Sequence, residues 1–190
     1  MQEARLEEIA KKKPWPVPMD DDEITQPGVP PPSLTAWGEP DIEVTHKLAR
    51  ADRLLAIGDL HAPRHHPDAL AFLAALKTEF SPDCVVQVGD ESDFHGLSFH
   101  ERNPDLSGPS EELRLTRAFM AKLHEMFPKM ALIESNHGSL LYRQAVAHGI
   151  PQELVRGYNE VLQVGPGWSW SFSLTVDNRS GPVYIEHGQK

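Results

Sequence analysis

Three short apolar runs, each closed by residues able to bind a metal ion, constrain the fold of this chain more than any other feature. Arg53-Leu54-Leu55-Ala56-Ile57 ends at Gly58-Asp59-Leu60-His61, Cys84 to Val88 ends at Gly89-Asp90, and Met130 to Ile133 leads into Ser135-Asn136-His137. Brief apolar runs bounded by turn residues read as buried strands. The segments between them carry helical spacing. Asp68 to Phe80 places Leu70, Leu73, Ala74 and Leu76 on one side, with Pro67 near the start, where a helix tolerates proline. Ser110 to Phe127 does the same with Leu113, Leu115, Phe119, Leu123 and Met126. Ser110 can cap that helix, and Glu111 and Glu112 suit its positive end. Strand, helix, strand, helix, strand predicts an α/β fold, a parallel sheet covered by helices.

Further along, Leu140 to Ala147 and Gln152 to Val161 read as helices. Trp168, Trp170, Phe172, Leu174 and Val176 alternate with smaller residues, which predicts a single half-exposed strand whose aromatic stripe belongs to sheet core. Pro182 to Glu186 reads as a last strand, of parallel type, ending at His187. Residues 1–50 differ in kind. Eight of the 17 prolines lie in the first 40 positions, and Asp20 to Glu23 is an acidic run. Such a stretch favours a largely irregular arm before a domain over 51–190. Residues 2–13 can form a short amphipathic helix through Leu6 and Ile9, although a solvated tail is favoured; Trp15 and Trp37 can pin the arm to the domain.

In open α/β sheets, ligands gather at the carboxyl ends of the strands. Asp59, His61, Asp90, Asn136, His137 and His187 all occupy strand ends and are expected to meet in one cleft. Carboxylate, imidazole and amide oxygen suit divalent Zn, Mn or Fe. Asp90 is the natural bridge between two ions. Paired ions about 3.5–4 Å apart clamp a phosphoryl group and acidify a water, and a neighbouring histidine can protonate the leaving oxygen.

Charge and cysteine content narrow the alternatives. The formal net charge is -10, with 28 acidic against 18 basic side chains, so the overall field does not favour nucleic acid. A local cluster of metal ions still attracts phosphate. The one cysteine, Cys84, sits in an apolar run and reads as a small buried hydrophobe in a reducing compartment. The N-terminus has no secretory h-region, and no apolar run approaches the roughly 20 residues that span a bilayer, so a cytoplasmic protein without membrane contact is expected.

Gly58-Asp59-Leu60-His61, Gly89-Asp90-Glu91-Ser92-Asp93 and Asn136-His137 together resemble the first three motifs of the calcineurin-like metallophosphoesterase superfamily, GD-x-H, GD-x-x-D and GNH-[ED]. The resemblance covers roughly residues 52–190. It implies a β-sandwich of two sheets flanked by helices, an αββα order, and a hydrolase that cleaves phosphodiesters or phosphomonoesters with two divalent ions and a bridging hydroxide. By the same resemblance, Asp59 and His61 bind the first ion, Asp90 bridges, and Asn136 binds the second ion and substrate. His137 contacts phosphate and acts as general acid, and His187 ligates the second ion. Asp93 orients a ligating histidine from behind.

The chain departs from the family pattern at three places. Gly138 stands where the third motif carries an acidic residue. Phe94-His95-Gly96 follows Asp93, where the serine/threonine protein phosphatases carry Asp-Arg-Gly; this points away from that branch and offers His95 as a substrate contact. No GH-x-H motif follows His187, so the domain is expected to lack its last part, and a catalytically silent remnant or binding module is the alternative. His65 and His66 read as loop residues. His46, His100, His124 and His148 read as surface or satisfied histidines, and Arg64 and Arg143 as solvated cations.

Overall fold

The computed structural model describes residues 42–43, 47–101 and 103–188. The expected helix over 2–13, the acidic run at 20–23, Trp15, Trp37 and His46 lie outside the described residues. The strands are β1 (Ile42–Glu43), β2 (Lys47–Arg50), β3 (Leu54–Ile57), β4 (Cys84–Gln87), β5 (Met130–Ile133), β6 (Trp168–Ser171), β7 (Ser173–Asp177) and β8 (Val183–Glu186). The helices are α1 (Ala69–Phe80), α2 (Pro109–Met126), α3 (Leu140–Ala147) and α4 (Tyr158–Leu162), with 3-10 turns at His95–Leu97 and Gln152–Leu154.

A first sheet runs in the order β1-β6-β5-β4-β3 and a second in the order β2-β7-β8. Every neighbouring pair in the first sheet is parallel. The chain is thus mixed α/β, with parallel strands flanked by helices. Side-chain alternation separates two cores. Val85, Leu132, Trp168 and Trp170 face one way, against Leu73 of α1, Phe119, Met120 and Leu123 of α2, Leu140 and Ala145 of α3, and Tyr158 and Leu162 of α4. Val86 and Ile133 face the other way and meet Leu174, Val176 and Ile185 of the second sheet. Successive strand residues point to opposite faces, so the order Val85-Val86 and Leu132-Ile133 supplies both layers.

Four expectations are corrected. The single strand over Trp168 to Val176 is two strands that part at Phe172, and the chain crosses there from the first sheet to the second. Alternation survives the crossing, because Trp168 and Trp170 serve one core and Leu174 and Val176 the other. A period-two pattern therefore cannot reveal the break. The last strand is antiparallel: β8 pairs with β7 through Leu174↔Ile185 and Val176↔Val183. The turn between them explains this, since only antiparallel strands close over so short a link. Asn178 accepts Gly181 N–H at 2.8 Å on its carbonyl and Ser180 N–H at 2.9 Å on its side chain.

The third correction concerns residues 42–43 and 47–50, which join the sheets as β1 and β2. Ile42 lies beside Trp170, and Lys47 beside Leu174. Finally, the helix expected over Gln152 to Val161 is interrupted, because Gly157 is extended at φ -65, ψ 161 and starts α4 anew. Helix α2 begins at Pro109, one residue before Ser110, with Gly108 as its N-cap. No described helix is long and apolar enough to cross a membrane.

Candidate metal centre

β3, β4 and β5 lie side by side and run the same way, so the loops that leave them share one rim. Asp59 and His61 follow β3, Asp90 follows β4, and Asn136 and His137 follow β5. His187 reaches the same rim from the end of β8. The first two loops remain paired beyond their strands: His61 N–H donates to Asp90 O at 2.8 Å and Ala62 N–H to Glu91 O at 3.0 Å. The backbone here is unusual. Asp59 (φ 26), His61 (φ 47), Asp90 (φ 54) and Phe94 (φ 46) all take left-handed conformations. Each such residue costs on the order of 1–3 kcal/mol, and such conformations concentrate at functional sites.

Gly89 shows why the second loop needs glycine. Its φ is +101, and a Cβ there would lie 2.5 Å from His187 Nδ1 and 2.8 Å from Ser135 Cβ. The fully buried Gln87 side chain steadies the turn, accepting Gly89 N–H at 2.6 Å and donating to Gly89 O at 2.7 Å. Ser135 Oγ ties the second loop to the third, accepting Asp90 N–H at 2.9 Å and Gly138 N–H at 3.1 Å.

Two groups of ligand atoms result: His61, Asp90 and His137, and Asp59, Asp90 and His187, each with its atoms within 4.8 Å of one another. Asp90 belongs to both. Its Oδ2 lies 3.5 Å from His61 Nε2 and 3.5 Å from His187 Nε2. All three histidines are held from behind at Nδ1. His61 faces Asp93 Oδ1 at 3.0 Å, His137 faces Asp93 O at 2.5 Å, and His187 faces Val88 O at 2.9 Å. Each partner is a carbonyl or carboxylate oxygen, so a proton on Nδ1 satisfies it and leaves Nε2 free to meet a cation. His187 Nε2 also meets Asn136 Oδ1 at 3.0 Å. Lone pairs of His187, Asn136 and Asp90 thus converge with no hydrogen among them when the ring is neutral, which suits a metal ion. The donor set is imidazole, carboxylate and amide oxygen, so the residues present fit a divalent metal.

Electrostatics point the same way. Asp90 is 6% exposed, and the wholly buried Glu91 follows it. Burial pushes the Glu91 carboxyl up to about 7; a backbone hydrogen bond opposes this, and the Asp90 charge adds to the rise. A buried carboxylate such as that of Asp90 is a place that a cation stabilises.

The structure brings together Asp59, His61, Asp90, His137 and His187, with Asn136 against His187 and Asp93 behind His61. His137 stands in a ligand group as well as beside Asp93. His95 is engaged elsewhere: its Nε2 accepts Asn103 N–H at 3.2 Å. Neither arginine is a solvated cation. Arg64 donates to Asp93 Oδ2 at 2.6 Å, and the buried Arg143 lies over the Phe99 ring, 5.4 Å from its centroid. His65 stacks on Phe119 with ring centroids 3.7 Å apart. Sequence reasoning missed Gln87, Ser135, Glu112 and Thr116. Glu112 and Thr116 lie one turn apart on α2 and are both fully buried, a polar pair in an apolar stripe that a helical reading could have singled out.

Fold and site together define a mixed α/β domain with a carboxylate–imidazole centre able to bind a metal ion. Compared with family models, curated proteins and solved structures, the chain finds no match in any of the three.

Proposed function

We propose that this chain is a metal-dependent phosphoester hydrolase of the calcineurin-like metallophosphoesterase kind, acting on phosphodiesters or phosphomonoesters through two divalent ions of the Mn, Zn or Fe type. The observation that carries the reading is the sharing of Asp90: one carboxylate oxygen lies 3.5 Å from the Nε2 atoms of two histidines that belong to separate ligand groups. Asp59, His61, Asp90, Asn136 and His187 would hold the ions. When bound, the ions supply positive charge against the phosphoryl oxygens and lower the pKa of water.

The chain's own residues supply orientation and a proton. Asp93 fixes His61 through its carboxylate and His137 through its carbonyl, so both rings are set before substrate arrives. His137 is 30% accessible at its side chain, able to meet a leaving oxygen, and its Nδ1 lies 3.6 Å from Asp93 Oδ1. Gly138 leaves the third loop without its own acidic side chain, and Asp93 fills that supporting role from the second loop.

The test is hydrolysis of an aryl phosphodiester with added Mn, comparing wild type with Asp90→Asn. Loss of turnover in the variant is expected. Equal rates would remove Asp90 from the mechanism, and absence of turnover in a wild type shown to bind Mn would favour a silent binding module.

A further inference from the structure

The side chains behind His61 form a charged chain that ends inside the protein. Asp93 Oδ1 holds His61 Nδ1 at 3.0 Å, and Asp93 Oδ2 accepts from Arg64 at 2.6 Å. The second arm of the Arg64 guanidinium lies 3.6 Å from Glu112 Oε1. Glu112 is 1% exposed and accepts the backbone N–H groups of His95 at 2.9 Å and Gly96 at 2.7 Å. A buried carboxylate is costly unless it is paired and hydrogen-bonded, and here it has two amides and a guanidinium. Glu112 is therefore a fixed post on α2, and Arg64 is the link from that post to Asp93.

Asp93 faces a choice that this link decides. Its Oδ1 lies 3.0 Å from His61 Nδ1 and 3.6 Å from His137 Nδ1. Rotation about the last carboxylate torsion is soft, so an unheld Asp93 can serve either ring or turn to water. Arginine's planar fork holds one carboxylate oxygen while bridging to a second acid, which a point-charge ammonium does less well.

We propose, on the reading that the centre binds metal, that Arg64 is a positioning residue for it: anchored by Glu112, it locks Asp93 onto His61 and so aims His61 Nε2 at the ion shared with Asp90. Arg64 touches neither ion nor substrate in this role. Partners that orient a ligating histidine typically change metal affinity by about 10- to 100-fold. Arg64→Met should weaken the ion on the His61 side by that factor and leave the ion on the Asp59–His187 side unchanged.

The experiment titrates Mn into the full chain by calorimetry and Co while recording its visible spectrum, for wild type, Arg64→Met, Arg64→Lys, Thr116→Ala and Asp90→Asn. Thr116 Oγ1 donates to Ala62 O at 3.0 Å, the carbonyl that also accepts Asp93 N–H at 3.0 Å, so its loss loosens the same loop while leaving the Asp93 carboxylate and its bonds to His61 and Arg64 in place. The expected result is a weakened, spectrally altered first site in Arg64→Met, a partial recovery in Arg64→Lys, and wild-type affinities in Thr116→Ala. Wild-type affinity and spectrum in Arg64→Met, or equal losses in Arg64→Met and Thr116→Ala, would overturn the proposal while the metal centre stands. If Arg64→Met does not fold, Arg64→Lys decides: full wild-type affinity would overturn the need for the guanidinium fork. A wild type that takes up neither ion, or an Asp90→Asn that keeps both, removes the metal reading itself, and the proposal with it.

Discussion

The two halves of the centre are built differently. On one side, His61, Asp90 and His137 sit on loops of adjacent parallel strands and are backed by Asp93, Arg64 and Glu112. On the other, Asp59 is exposed, and His187 arrives from the second sheet, held by Val88 O and set against Asn136. The first half is positioned by side chains that cross to a helix. The second depends on how closely two sheets dock around Gly89. One residue, Asp90, thus belongs both to a group braced by side chains and to a group whose geometry follows the packing between layers.

The change with the largest expected effect removes the shared element. Asp90→Asn should lower phosphodiester turnover by more than the roughly 100-fold typical of losing an outer partner, and it should weaken both ions. Steady-state rates and metal titration check this. Gly89→Ala separates the halves. Its new methyl meets His187 and Ser135 in a backbone with φ +101, so stability should fall by about 1–3 kcal/mol, with the Asp59–His187 ion lost first. Denaturant unfolding and metal stoichiometry read the two effects. Thr116→Ala probes the stiff half. Ala62 O keeps its bond from Asp93 N–H at 3.0 Å, so the loss should be near 1 kcal/mol in unfolding free energy.

The smallest expected effect is a pH dependence behind the stiff half. His65 packs on Phe119, and burial followed by the charge of Lys122 lowers its pKa below 6.5. A depressed histidine pKa means the unfolded chain binds more protons just below 6.5, so its contribution to stability is present above that value and lost as pH falls further. Melting temperatures across this range should fall for wild type on acidification and fall less for His65→Gln. Identical profiles would show that His65 does not couple to folding.

The strand ends were legible because apolar runs stopping at Gly-Asp and Ser-Asn-His mark both strand and ligand in the same few residues. The crossing at Phe172 was not, since alternation is blind to which sheet a strand enters. The direction of β8 lay in its turn residues, Asn178 to Gly181, and not in the apolar residues of the strand itself. Asp93's support of a histidine followed from a resemblance, whereas the link from Glu112 through Arg64 to Asp93 was not legible. Their roles depend on α2 lying beneath loops far from it in sequence, and no local pattern encodes that contact. His95 looked available because its engagement with Asn103 is likewise a matter of tertiary geometry.

The most direct test is crystallography of the protein soaked in Mn, with anomalous scattering to locate the metal. Two peaks about 3.5–4 Å apart are expected with Asp90 between them, one beside His61 and one beside His187. A single peak remote from Asp90, or none at saturating Mn, would contradict it.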